Sequence, residues 1–284
     1  MKIVVLSTDT EQYLLQWWLP HTAKKFDLGV IVDFGLGEES DNTYELYKKH
    51  VPHWRYFKVK QEKMGTFLWD VVLSKIEKDL LKEFPGSWRT TLNPTEFLIG
   101  DTNHLNDFTE NKQVLIPCHL MIDAVENEQI EPDVNIPLLE QRHHGVHYSN
   151  DFPNPHVGKT NTLLKSQMSG DTSGVHTFRL MRSIHNYDLD YISDSIYSVG
   201  RHFWNVNSYS DKLAICHYNL SPFTEQFIKR KVQIKRRLTQ SDLTADRGIQ
   251  HKTATPESLM IRKRFYDQIT VDLKNEINQL ERLK

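Results

Sequence analysis

The sequence predicts an α/β fold: a mostly parallel sheet flanked by helices, with a helical extension at the C-terminal end. Three observations predict it. "KIVVLS" (2–7) is an unbroken, largely β-branched run, as expected of a strand buried on both faces. Strand and helix patterns then alternate through the first hundred residues, the signature of a parallel sheet with crossover helices. Past residue 221 the pattern turns helical and basic.

Taken in order, "TEQYLLQWWLPHTAKKF" (10–26) spaces apolar residues for a helix that Thr10 starts. "LGVIVDFG" (28–35) is a second buried strand ending in Asp33. "DNTYELYKKH" (41–50) is a short helix and "RYFKVK" (55–60) a third strand. "TFLWDVVLSKIEKDLLKEF" (66–84) is an amphipathic helix stopped by Pro85-Gly86. "WRTTLNPTEFLIG" (88–100) supplies one further strand. Residues 101–210, richer in His, Asn, Ser and Gly, read as short strands and long loops around a site. "KLAICHYNL" (212–220) is another strand. Residues 221–238 form one helix and 255–284 a second, the latter capped by Thr255 with Pro256 at its first position. Such sheets bind ligands at the carboxyl ends of their strands.

The 284 residues, 38% hydrophobic and 25% charged, suit a globular chain with a sizeable core. A net charge of -2 excludes a uniformly basic nucleic-acid binder and leaves local patches open. Two distant cysteines, Cys118 and Cys216, exclude a disulfide framework or cysteine-rich zinc site and fit a reducing compartment. "MKIVVLSTD" is too short an apolar run for a signal peptide, and no stretch approaches the roughly 20 apolar residues of a membrane span. The expectation is a soluble, cytoplasmic protein.

In order and spacing, "STDTEQYLLQWWLPH", "VIVDFGLGEESDNT", "WRTTLNPTEFLIG" and "CHYNLSPFTEQFIKRK" resemble glycosyltransferase family 2 and its relatives of GT-A type, Rossmann-like fold. The resemblance implies a catalytic domain over 1–220, with a nucleotide-binding half (1–100) and an acceptor half (101–220), and a basic helical extension over 221–284. It implies a UDP-sugar donor. The loop at Thr8 and Asp9 would pack on the nucleotide. Asp33 would accept hydrogen bonds from uracil or ribose, a task suited to a carboxylate because those groups donate. Asp41 matches the family's turn aspartate. From the residues alone, Asp33 equally caps the turn before Gly35, and Asp41 caps the helix that follows.

Members of that family end the fourth strand with an Asp-X-Asp that holds Mn²⁺ or Mg²⁺ against the diphosphate. Here Asn93 and Thr95 stand in those places, and Glu96 alone keeps a carboxylate. Neutral oxygens bind a hard cation weakly. Three readings stand: an ion held by Glu96 with Asp101 or a histidine, a diphosphate neutralised by basic side chains, or a dead enzyme. The second is favoured, with His217, Arg230 and Lys231 as the cations beside the diphosphate. The resemblance also implies a general base in the acceptor half, for which Asp171 and His176 are candidates.

"RHHGVHY" (142–148) carries three histidines around a glycine with no carboxylate nearby in sequence. It reads as an acceptor-facing surface bearing His143 and His144 rather than a zinc site. Arg201, Lys235 and Arg236 are further acceptor-side candidates. Segment 224–238 sets six cations against one carboxylate, and helical spacing packs Phe227, Val232, Ile234 and Leu238 inward with the cations outside. That strip suits a polyanionic acceptor. The resemblance implies a glycan acceptor; the strip makes hydroxymethylated DNA of a bacteriophage the second candidate, with host cytoplasm as the compartment in that case. A non-catalytic nucleic-acid-binding protein on a transferase scaffold is the contrasting reading.

Overall fold

A computed structural model describes residues 1–8, 12–35, 38–59, 72–73, 75–76, 79–80, 82–107, 113–147, 175–180, 212–234, 238–240 and 254–282. It is an α/β structure with a mostly parallel sheet between helices. The strands are β1 (Lys2–Thr8), β2 (Leu28–Asp33), β3 (Arg55–Lys58), β4 (Trp88–Leu92), β5 (Glu96–Gly100), β6 (Gln113–Ile122), β7 (His144–His147), β8 (Val175–Leu180), β9 (Leu213–Leu220) and β10 (Val271–Asp272). The helices are α1 (Gln12–Thr22), α2 (Glu38–His50), α3 (helical residues within 72–83), α4 (Leu138–Gln141), α5 (Glu225–Gln233), α6 (Pro256–Asp267) and α7 (Lys274–Arg282). No described helix is long and apolar enough to cross a membrane.

Strands run in the order β10-β7-β6-β8-β4-β1-β2-β3, and β9 joins β6 to β5. The core β3-β2-β1-β4 is parallel throughout. Alternation across β1 and β2 explains their continuous apolar runs. Val4, Leu6 and Ile31 join one buried cluster with Leu14, Leu15, Trp18 and Leu19 of α1. Ile3, Val5, Val30 and Val32 join a second with Leu73 and Leu80 of α3. Both faces are thus covered, as a parallel sheet requires. Gly29 of β2 lies against the Trp54 ring so closely that a Cβ there would enter it.

Residues 88–100 are two strands rather than one. Asn93–Thr95 make a turn closed by the Glu96 N–H donating to the Asn93 carbonyl at 2.9 Å. Because β4 is antiparallel to β8, β8 to β6, β6 parallel to β9 and β9 antiparallel to β5, the chain reverses at this turn. The Asn-Pro pair is the physical reason, since proline withholds an N–H and restricts the residue before it. Gly100, at φ 96, closes β5 at the amino end of the sheet.

Residues 255–284 are likewise two helices, with β10 between them. The β-branched Ile269, Thr270 and Val271 break the pattern, and Asp272 restarts it by accepting the Lys274 N–H at 2.8 Å. The start of α6 is as expected: Thr255 and Ser258 form a reciprocal capping box behind Pro256. Leu273, Ile277 and Leu280 bury in the same cluster as β5. On the other side, Phe227 of α5 and Leu259 and Tyr266 of α6 pack with Leu120, Ile122 and Leu220. Asp123 fastens the ends of β6 and β9. Its carboxylate accepts from the Ser221 hydroxyl and the Phe223 N–H, each at 2.7 Å, and pairs with Arg142 at 3.0 Å.

Candidate functional site

The parallel strands bring several polar residues to one edge. Thr8 ends β1 level with Asp33 at the end of β2, and Leu6 is level with Leu92, so Asn93 rises beside them. Asp33 is fully buried, unlike an ordinary turn aspartate. One carboxylate oxygen accepts the Gly35 N–H at 2.7 Å, the turn cap seen in the sequence, and the other accepts the Tyr56 hydroxyl. Tyr56 is stacked in turn on Tyr47 at 5.2 Å and meets Tyr44 edge-on at 5.1 Å. The Thr8 hydroxyl is buried with no hydrogen-bond partner among the described residues.

A second line of groups continues from the Asn93–Thr95 turn. Glu96, buried, accepts the Asn93 N–H at 2.7 Å and so stabilises its own turn. Its antiparallel partner on β9 is His217, and opposed residues share a face with Cβ atoms about 5 Å apart. Thr95 is buried and fixes β9 through its carbonyl, which accepts the Tyr218 N–H at 2.7 Å. Asn219, two residues past His217 and so on its face, accepts from the Lys231 ammonium at 2.5 Å.

Arg230 and Lys231 do not line an outer face. Each is only 8% exposed, whereas Lys229 faces solvent. Burial lowers the Arg230 guanidinium to about 9. Burial first, then the positive charges of Arg230 and Arg262, push the Lys231 ammonium well below its ordinary value. The amphipathic expectation was met by Phe227 and Ile234, which are buried. It failed for the cations because the long apolar stems of Arg and Lys fit against packed surface.

The hard-cation reading of this edge fits poorly. Among the described residues, the turn offers one carboxylate, Glu96, and it already accepts the Asn93 N–H. Asp101 cannot help it. Five residues of strand at about 3.3 Å each separate them, and Asp101 lies at the amino end, where its neighbour Asn103 accepts from Lys2.

His143 and His144 sit at the far side of the sheet, and residues 144–147 form a strand rather than a loop. The carboxylate missing from their local sequence is supplied by Asp272, paired with His144 through β10. Asp9, Asp171, Arg201, Lys235 and Arg236 lie outside the described residues. Asp41 and His176 are described only by backbone, in α2 and opposite Ile116 respectively. Sequence reasoning missed Tyr56, Asn219, Arg262 and Asp272. For Tyr56 a signal existed: it sits on the neighbouring strand, level with Ile31, on the face from which Asp33 projects two residues later.

No protein-family profile and no curated protein matches the chain. Among solved structures, a 4-diphosphocytidyl-2C-methyl-D-erythritol synthase is similar over 47% of this chain and 68% of its own, at 13% identity and a TM-score of 0.30.

Proposed function

We propose that the chain is a glycosyltransferase that seats a uridine diphosphate sugar along the carboxyl edge of β1, β2 and β4. The observation that carries this reading is Asp33. What supports it is a buried carboxylate at a strand's carboxyl end, where such sheets bind ligands. Each oxygen, beyond the bond it accepts from the Gly35 N–H or the Tyr56 hydroxyl, keeps a lone pair that uracil or ribose would use once the ligand opens the edge. The Thr8 hydroxyl beside it offers a further donor. His217, Arg230 and Lys231 would offset the diphosphate charge, since buried cations favour a polyanion over water. In the reaction an acceptor hydroxyl oxygen bonds to the anomeric carbon. The bond from that carbon to the phosphate oxygen breaks, UDP leaves with the electron pair, and the hydroxyl proton passes to a base such as Asp171 or His176. No step is drawn through Mn²⁺ or Mg²⁺.

The test is thermal stabilisation by UDP with Mn²⁺ and with EDTA. Stabilisation that persists in EDTA is expected. Asp33→Ala should weaken UDP at least ten-fold, and Asp33→Asn, which preserves one acceptor, should weaken it less while folding normally. Indifference to every nucleotide, with salt-sensitive retention on DNA, would transfer the case to a non-catalytic nucleic-acid binder.

A further inference from the structure

We propose that His143, His144 and Asp272 form a binding site for a borderline divalent transition-metal ion, of which Zn²⁺ is the natural occupant. One ligand atom from each residue lies within 4.8 Å of the other two. The His143 Nδ1 is 2.7 Å from the Asp272 Oδ1, and the two imidazoles stack with centroids 4.9 Å apart at 28°. A hydrogen bond to Asp272 accounts for one histidine. It does not account for His144, whose ring also brings a nitrogen within 4.8 Å of the other two ligand atoms.

The backbone preorganises the cluster. Asp272 is the strand partner of His144, and the Leu273 N–H donates to the His143 carbonyl at 2.9 Å. Asp272 is held a second time, because Oδ1 accepts the Lys274 N–H at the start of α7 as well as facing the His143 Nδ1. The His143 side chain is 16% exposed and that of Asp272 55%, so an ion can enter from solvent. Zinc bonds of about 2.0–2.1 Å put tetrahedral ligand atoms about 3.3 Å apart, so closure needs side-chain shifts of about an ångström.

Two imidazoles and one carboxylate select Zn²⁺ and its borderline neighbours over Mg²⁺ or Ca²⁺, which prefer all-oxygen shells. Three protein ligands leave a fourth position for water or an incoming group. Strands β7 and β6 separate Asp272 from β9, so the site is independent of the nucleotide edge. Bound metal would fasten the start of α7 to β7, coupling occupancy to stability.

Tag-free protein, stripped with EDTA and desalted, is titrated with Zn²⁺ by calorimetry and with Co²⁺ by visible absorption. One equivalent of Zn²⁺ should bind and raise the melting temperature, Co²⁺ should give the intense bands of a tetrahedral site, and Mg²⁺ should do neither. His144→Ala, and Asp272→Asn, which retains the cap on Lys274, should each weaken Zn²⁺ at least ten-fold while circular dichroism stays unchanged. Absence of Zn²⁺ binding to the wild type overturns the proposal. So does wild-type affinity in His143→Ala/His144→Ala.

Discussion

Replacing Lys231 by methionine should make the ligand-free protein more stable and its response to UDP weaker. Lys231 is 8% exposed; its ammonium reaches Asn219 at 2.5 Å and lies 5.5 Å from the Phe227 ring centroid, and the charges of Arg230 and Arg262 oppose it. Replacing a buried ion pair or triad by hydrophobes of similar volume is neutral or stabilising by up to about 1–4 kcal/mol in other proteins. Lys231, whose charged neighbours are cations, has no ion-pair attraction to lose. Asn219 is half-buried and rehydrates, at a cost under about 1 kcal/mol. The net gain is about 1–3 kcal/mol, or about 2–6 °C in Tm at about 2 °C per kcal/mol for a chain of this size. Loss of one charged contact of about 1.5–3 kcal/mol should weaken UDP about ten- to hundred-fold. Scanning calorimetry across a UDP titration reads both effects. The sign with pH is fixed as well. The folded chain sheds the Lys231 proton more readily than the unfolded chain, so native stability rises with pH and the methionine gain shrinks towards the ordinary lysine value. A lower ligand-free Tm with an unchanged UDP shift would refute the reasoning, because Lys231 would then be a balanced structural ion.

Two further outcomes follow from the packing. Gly29→Ala places a methyl group inside the Trp54 ring, and urea unfolding should show a loss of about 1–3 kcal/mol; wild-type stability would mean the strand and ring can part without cost. His21, 2.7 Å from the Leu98 carbonyl, is held down at about 4 by burial first and by Lys25 second. A depressed base keeps its contribution above its ordinary 6.5 and loses it as pH falls towards 4, so acidification should remove about 1–3 kcal/mol. Equal unfolding free energies at pH 7 and pH 4 would contradict that placement.

The sheet's parallel core was legible because burial on both faces leaves an unbroken apolar run in β1 and β2, and few other environments tolerate one. The turn inside 88–100 was missed because apolar residues on both sides of it masked the reversal. Its signal was the Asn93-Pro94 pair, which is local and was outweighed by the periodicity. The split of 255–284 was hidden similarly, by helical spacing that resumes after three β-branched residues. At the edge, Asp33 was legible as an acid ending a strand, but its hold on Tyr56 depends on strand pairing. The depth of Arg230 and Lys231 was illegible, since sequence records charge and not the direction of a long stem. The closing of Asp272 on His143, 129 residues earlier, was beyond any local pattern.

The ribbon at Val271–Asp272 has a consequence for chain synthesis. Gly145 and His144 leave the ribosome long before the residues that pair with them, and Leu280, which helps bury the cluster around β5, emerges later still. Until then the apolar surface under β5 stays open to water and to other nascent chains. The last dozen described residues therefore act as the latch on a hydrophobic interior assembled ahead of them, and the interval before they arrive is when the growing polypeptide is most prone to sticking.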